Sequence, residues 1–170
     1  MSTNSELANR FAAVASQFCS IVESANTFER MGFAVEIYRL LPKLIDEAIG
    51  LPDVATGDSP EVIEQSIRQG NEEWNRLYTL LKEKLGEWDA YRNVFDPTRD
   101  TEAICGSLAD DIADIYRDLN EGLALMKNAE LESEEAIWAW RFAFHSHWGK
   151  HAIDALLTIH FLLQNSAYFE

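Results

Sequence analysis

Histidine and aspartate side chains with the spacing of metal ligands lie in the last part of the sequence. All four histidines fall between His145 and His160. His147 and His151 are four residues apart, which places both imidazoles on one side of a helix. Asp154, three residues further on, shares that side. A His-x3-His pair has the helical spacing used for zinc and other transition metals, although the pair alone is a weak signal.

A row of aspartates earlier in the chain offers oxygen ligands. Asp111, Asp114 and Asp118 are three and four residues apart. At roughly 100° per residue they form a column at the border of their helix's apolar stripe. Such a column can offer two or three oxygens to a hard cation. If the two helices are antiparallel neighbours, the aspartate and histidine columns face each other, which predicts a site for Zn²⁺, Mn²⁺ or Mg²⁺.

Two alternative interpretations need no metal. In a chain with 29 acidic residues, an aspartate column also arises by chance as a solvated helix face. The acids are alternatively paired by internal arginines, with Arg141 or Arg117 bound to Asp114 or Asp118. Histidines in an aromatic-rich helix are often core residues, and we expect this of His145, which is closest to the middle of the apolar stripe.

Recognisable catalytic motifs are absent from the sequence. HExxH does not occur, so the histidine pair brings no built-in general base of the metalloprotease type. The Glu-x-x-His pairs of di-iron proteins, a glycine-rich phosphate loop and Gly-x-Ser-x-Gly are also missing.

Apolar residues with a period of 3.6 predict the elements that carry both columns. Five amphipathic helices are predicted, over residues 5–24, 27–49, 59–85, 100–127 and 133–165. We find no convincing strand and interpret residues 86–99 as a connector whose aromatics pack onto the bundle. Pro42 predicts a kink or a break in the second helix, and Gly149 is the weakest point of the fifth. Ser59 and Pro60 form an N-cap and first-turn signal for the third.

These elements predict an all-α fold: a bundle of about five helices forming one domain over residues 1–170. The fifth helix is apolar on most of its circumference, so we expect it at the centre of the bundle. Cys19 and Cys105 fall within apolar helical patterns, and we expect both to be free, buried thiols.

The strong negative charge excludes some partners. The chain of 170 residues carries a formal net charge of −15. It should be repelled by nucleic acid and by anionic membrane surfaces, whereas a basic protein is a suitable partner. No run of about 18 apolar residues predicts a membrane span. The N-terminus lacks the pattern of a signal peptide, so a cytoplasmic location is expected.

Two motifs carry a resemblance to a known family. The stretches Leu108–Leu119 and His147–Ala152, together with Phe18-Cys19, resemble a bacterial family known as a domain of unknown function. The resemblance implies a small, intracellular, all-helical protein and assigns no activity and no catalytic residues.

Three functional hypotheses remain open at this stage. The first is a small acidic binding or interaction protein without catalysis. The second is a divalent-metal-binding protein or metal-dependent hydrolase that uses the aspartate and histidine columns. The third is a purely structural role for both columns.

Overall fold

The computed structural model describes residues 3–55, 60–127 and 133–166, with side chains for 4–55, 72–127 and 133–166. The helices and strands, in chain order, are α1 (Thr3–Glu23), α2 (Arg30–Ile49), α3 (Pro60–Leu85), β1 (Ala90–Val94), β2 (Ala103–Ser107), α4 (Leu108–Lys127), α5 (Ser133–Ala143) and α6 (Gly149–Asn165). Two short 3₁₀ turns, Ala25–Thr27 and Gly86–Trp88, precede α2 and β1. One π-helical turn, Phe144–Trp148, joins α5 to α6.

The predicted helical bundle is confirmed, and most helix boundaries agree within a few residues. Helix α2 continues through Pro42 without a break. Helix α3 begins at Pro60, as the first-turn signal predicts, whereas its proposed N-cap, Ser59, lies outside the described residues. In the described part of the chain, no helix is both long and apolar enough to cross a bilayer.

An antiparallel hairpin is the main departure from the predicted fold. Strands β1 and β2 pair between Ala90 and Ser107 at one end and between Val94 and Ala103 at the other. The prediction of a helix from residue 100 and the expectation of no strand were therefore wrong. Of the aromatics in the predicted connector over 86–99, Trp88 and Tyr91 pack against the core as expected, whereas Phe95 is exposed. Cys105 belongs to β2 and is exposed, which corrects the expectation that it is buried in a helix, whereas Cys19 is buried as predicted.

Helix α4 begins at Leu108 because the hairpin caps it. The Asp89 carboxylate accepts hydrogen bonds from the Ala109 amide (2.9 Å) and the Ser107 hydroxyl (2.8 Å). The Ser107 hydroxyl oxygen in turn accepts from the Asp110 amide at 3.2 Å. These bonds satisfy amides that a helix start leaves without an intrahelical partner. Two-stranded hairpins are marginal alone, and this attachment fixes β1 and β2 to the bundle.

Helix α4 is enclosed by four other helices. It packs against α1, α3, α5 and α6. The expectation that the last helix is central is corrected, since that helix is covered on one side and exposes Ile153, Leu157 and Phe161 on the other. The apolar residues that suggested a central position therefore belong partly to an outer surface. Helix α4 also carries all three aspartates of the predicted column, and all three are buried.

The π turn before α6 brings the backbone unusually close to Gly149. A β carbon at this position would lie 2.3 Å from the Phe144 carbonyl oxygen, so no larger residue fits without a shift of the chain. Single π turns within α-helices are frequent at functional sites. This one contains His147 and directly precedes the helix that carries His151.

Candidate metal centre

The aspartate column of α4 and the histidine column of the last helix meet across one antiparallel helix interface. His147 Nδ1 lies 2.6 Å from Oδ2 of Asp118, and His151 Nδ1 lies 2.7 Å from Oδ1 of Asp111. As residue numbers rise along one helix they fall along the other, as in an antiparallel pair. The juxtaposition on which the predicted site depended is therefore present.

The remaining imidazole nitrogens converge on Asp114. Nε2 of His151 lies 3.5 Å from Asp114 Oδ2, and Nε2 of His147 lies 3.8 Å from the same oxygen. These residues form a group whose potential ligand atoms all lie within 4.8 Å of one another. Ligand atoms of a tetrahedral zinc site are about 3.4 Å apart, given bonds of roughly 2.0–2.1 Å. A small contraction would bring these three atoms to coordinating distance.

The second oxygen of Asp114 is held by two groups from outside the histidine helix. Oδ1 accepts a hydrogen bond from Trp74 Nε1 at 2.9 Å and pairs with the Arg117 guanidinium at 2.8 Å. Arg117 also approaches Asp118, with Nε 3.5 Å from Oδ1. These contacts orient the Asp114 carboxylate so that Oδ2 faces the imidazoles.

Tyr91, from the hairpin, completes the surroundings of Asp111. Its hydroxyl donates to Asp111 Oδ2 at 2.7 Å. Tyr91 pairs across the strands with Gly106, where a β carbon would lie 2.3 Å from the phenol ring. Glycine at this position therefore allows the ring to lie over the neighbouring strand and reach α4. Burial and the nearby Asp111 charge raise the pKa of Tyr91, so its hydroxyl remains a donor.

Ionised carboxylates determine which imidazole nitrogen carries the proton. A carboxylate accepts hydrogen bonds and cannot donate them. Nδ1 of each histidine must therefore be the donor to Asp118 or Asp111, which leaves a lone pair on Nε2 of a neutral ring. Both lone pairs then face the Asp114 oxygen, another electron-rich atom. A cation between them, either a proton or a metal ion, removes this repulsion.

Burial and the neighbouring acidic groups together shift the pKa values at the site. Burial by itself lowers the pKa of His151, but the hydrogen bond to Asp111 and the charges of Asp111, Asp114 and Asp110 outweigh it, so the pKa is raised above its ordinary 6.5. Burial raises the pKa of Asp111 despite its hydrogen bonds to His151 and Tyr91. Burial likewise raises the pKa of Asp110. When no metal is bound, protons are the cations that reduce the repulsion between the acidic groups of this site.

Asp110 is a neighbour of the site that the helical pattern did not select. A regular wheel turns this residue away from the core, but it is half-buried. Asp110, Asp111 and His151 form a second group of potential ligand atoms within 4.8 Å. This group shares His151 with the first, and its Asp111 is already bound to the His151 ring.

Three of the predicted residues lie outside the convergent set. Asp154 pairs with Lys150 on its own helix. Arg141 pairs with the exposed Asp53 at 3.4 Å, which corrects the expectation that it neutralises an aspartate of α4. The arginine in that role is Arg117, on the aspartate helix itself. His145 is exposed in the π turn and stacks edge-on against Phe144, so the expectation of a core histidine was wrong.

The fold and site together define a helical protein in which buried aspartates of the fourth helix meet partly exposed histidines at the start of the last helix. The chain belongs to the family described as a domain of unknown function, DUF5063, whose sequence model matches residues 2–165. The resemblance inferred from the two motifs is thereby confirmed at the level of an uncharacterised family.

Similarity to a solved structure extends over nearly the whole length of both chains. The crystal structure of protein BF1032 from Bacteroides fragilis is similar, with a TM-score of 0.72 and 22% identity. The similarity covers 93% of this chain and 91% of that chain. At this level of identity it shows a common fold. No functionally curated protein matches the chain.

Proposed function

We propose that the protein binds one divalent transition-metal ion through Nε2 of His147, Nε2 of His151 and Oδ2 of Asp114. One observation carries the proposal: Nδ1 of each imidazole lies within hydrogen-bond distance of a carboxylate, while both Nε2 atoms lie 3.5 to 3.8 Å from one oxygen of a third carboxylate. Two nitrogens and one oxygen that converge in this way resemble a three-ligand site with an open position.

The residues behind the ligands support this assignment. Metal-binding histidines usually donate their other ring N–H to a carboxylate or carbonyl, which fixes the ring and raises its basicity. Asp118 and Asp111 have that relation to the two histidines. Ligating carboxylates are in turn hydrogen-bonded, and Trp74 and Arg117 bind the free oxygen of Asp114. The fold therefore orients the two imidazoles and the Asp114 carboxylate before an ion binds.

The ligand chemistry favours zinc among the candidate ions. Imidazole nitrogen suits Zn²⁺ and other transition metals, whereas Mg²⁺ prefers oxygen ligands and retained water. Mn²⁺ accepts mixed ligands but binds more weakly in the usual order of divalent ions. The His147 side chain is 37% exposed and that of His151 22%, so solvent can reach an open coordination position.

We propose a binding role rather than hydrolysis. Asp111 is engaged by His151 and Tyr91, and Asp118 by His147 and Arg117, so neither supplies a free general base. With a divalent ion bound and both histidines neutral, the site keeps one net negative charge. It is the sum of the ion, the Arg117 guanidinium and four carboxylates, those of Asp110, Asp111, Asp114 and Asp118. Anionic substrates such as phosphate esters are disfavoured in that field.

The net charge of −15 also makes a basic protein the kind of partner that the surface attracts.

Metal titration of tag-free protein tests this proposal. Elemental analysis and isothermal titration calorimetry with Zn²⁺, Mn²⁺ and Mg²⁺ should give one tight site per chain, tightest for Zn²⁺. His147→Ala and Asp114→Asn should each weaken binding at least about 100-fold, because each removes a ligand. His145→Ala is the matched control, since this exposed histidine lies two residues away and outside the group. An absence of binding, or equal loss in the control, would contradict the proposal.

A further inference from the structure

Exposed apolar side chains are concentrated on the outer side of the last helical segment. Among described residues, eight large apolar side chains are exposed, and five of them lie on α5 and α6. These five, which we call the outer stripe, are Trp138, Phe142, Ile153, Leu157 and Phe161. Their exposed fractions run from 37% to 58%. Single exposed apolar residues are common on monomers, whereas a set along one element marks an interaction surface.

The spacing of the outer stripe suits packing against another helix. Ile153, Leu157 and Phe161 follow one another at intervals of four residues and form one ridge of α6. Ridges of this kind interdigitate when two helices cross at about −50°, the commonest class of helix packing. Trp138 and Phe142 stack on each other further along, with ring centroids 5.0 Å apart and planes within 7°. The apolar side chains of the stripe are thus already arranged for docking before any partner binds.

The helical segment that carries the outer stripe is much less acidic than the remainder of the chain. Residues 133–165 contain three acidic residues, Glu134, Glu135 and Asp154, and two basic residues, Arg141 and Lys150. The segment therefore carries a formal charge of −1 within a chain of −15. Two copies of so acidic a protein repel each other across most orientations. When two copies meet through the outer stripe, the surfaces in contact are those that repel each other least. The stripe itself offers no cluster of acidic residues that would attract a basic partner.

The exposed area is sufficient for association of two copies. Large side chains of this kind bury about 150–250 Å² each when fully covered. At the exposed fractions given, the five contribute roughly 500 Å² per chain, so a symmetric pair buries about 1,000 Å² from these residues alone. That value reaches the lower bound for a specific protein interface, before flanking polar residues are counted.

We propose that the outer stripe is the interface of a homodimer, in which α6 of one chain packs against α6 of a second copy across a two-fold axis. A two-fold arrangement uses the same patch on both copies, so one self-complementary ridge is enough. The proposed metal ligands lie away from this ridge: His151 is on the side of α6 that faces α4, His147 precedes α6 in the π turn, and Asp114 belongs to α4. Dimer formation is consequently independent of metal binding, and either proposal can fail without the other.

Sedimentation equilibrium of the full chain tests the dimer. Wild-type protein should be dimeric at about 200 µM and dissociate on dilution, because association depends on concentration. Leu157→Glu and Phe161→Glu should each raise the dimer dissociation constant at least about 100-fold, since each change places a charge twice in the apolar ridge of the interface. Ile49→Glu is the matched control: Ile49 is 68% exposed but lies outside the stripe, and its substitution should leave the dimer intact.

Salt dependence and thermal melting distinguish a second copy from other ways of covering the outer stripe. The dimer should tighten between about 0.05 M and 0.5 M salt, because screening reduces repulsion between like-charged chains. A monomeric wild type at all concentrations overturns the proposal. So does a loss of thermal stability in Leu157→Glu that is equal at every protein concentration, because the stripe would then be covered by its own chain. Equal dissociation in Ile49→Glu would overturn it as well.

Discussion

Nε2 of His151 lies 3.5 Å from Oδ2 of Asp114, across the interface between α6 and α4. The carboxylate of Asp111 holds the other nitrogen of the same ring at 2.7 Å. The imidazole is therefore fixed between two acidic groups with its roles assigned: one nitrogen donates, and the other is available to a cation. His147 repeats this arrangement with Asp118.

The carboxylates behind the histidines should tune metal affinity without being ligands. Asp111→Asn and Asp118→Asn should each weaken Zn²⁺ binding about 10–100-fold while the stoichiometry stays at one ion per chain. The amide oxygen can still accept from Nδ1, but the negative charge that raises ring basicity is lost. Calorimetric titration measures this effect, with Asp46→Asn, an exposed position on α2, as control. Complete loss of the site in either variant would mean that these residues are ligands.

Arg117 should stabilise the folded protein more than Arg141 does. Arg117→Ala leaves Asp114 and Asp118 near each other, each 8% exposed, without their shared guanidinium. We expect a loss of about 2 kcal/mol in the free energy of unfolding, below the usual cost of breaking a fully buried pair because Arg117 is partly exposed. Arg141→Ala breaks one exposed pair with Asp53 and should cost less than about 1 kcal/mol. Urea denaturation of both metal-free variants makes the comparison, and the reverse order would reject this assignment.

Metal-induced stabilisation should increase with pH. The raised pKa of His151 means that the metal-free folded protein binds a proton that the unfolded chain releases. That contribution to stability is full below about pH 6.5 and is lost as the pH rises through the folded pKa. Metal binding requires neutral imidazoles, so its contribution grows over the same range. Calorimetry should therefore show a larger Zn²⁺-induced rise in Tm at about pH 8 than at about pH 6.

A control variant separates this effect from nonspecific binding of zinc. His147→Ala should show little Zn²⁺-induced change in Tm at either pH. A rise in Tm that is equal at both pH values in the wild-type protein, or larger in acid, would contradict the linkage to His151.

The two cysteines should differ strongly in reactivity. Burial raises the pKa of Cys19 to about 12, so its thiolate fraction near neutral pH is negligible. Cys105 is exposed on β2. A thiol reagent at about pH 8 should modify one cysteine per native chain, identified as Cys105 by peptide mass spectrometry. Cys105→Ser should abolish rapid labelling, whereas fast modification of Cys19 in the native protein would show that α1 opens readily.

Helical periodicity was sufficient to predict the two columns, whereas their meeting across one interface was predicted only for the case that the two helices are antiparallel neighbours. The three- and four-residue spacings of Asp111, Asp114 and Asp118 follow from sequence alone, and so does the shared side of His147 and His151. Each column borders an apolar stripe, so burial of the two stripes against each other brings the columns together. Local spacing therefore carried most of the information about these five residues.

The parts of the site that sequence could not predict depend on contacts between distant segments. Trp74 looks like an ordinary core residue of α3, and nothing local indicates that its indole donates to Asp114. Tyr91 reaches Asp111 because of a hairpin whose second strand is largely exposed and lacks an alternating pattern. The π turn changes the helical register ahead of Gly149, so a regular wheel misplaced His145. Arg117 and Arg141 were both candidates from sequence, and Arg141, the one expected to pair with Asp114 or Asp118, lies instead against Asp53.

Anomalous diffraction from crystals grown with Zn²⁺ shows whether the two histidines and Asp114 hold the ion. We expect one strong zinc peak about 2.0–2.2 Å from Nε2 of His147, Nε2 of His151 and Oδ2 of Asp114. Asp111 and Asp118 should still be bound to the Nδ1 atoms in the same maps. A zinc-saturated crystal with its peak elsewhere, or with both Nε2 atoms still facing Asp114 and no metal between them, would contradict it.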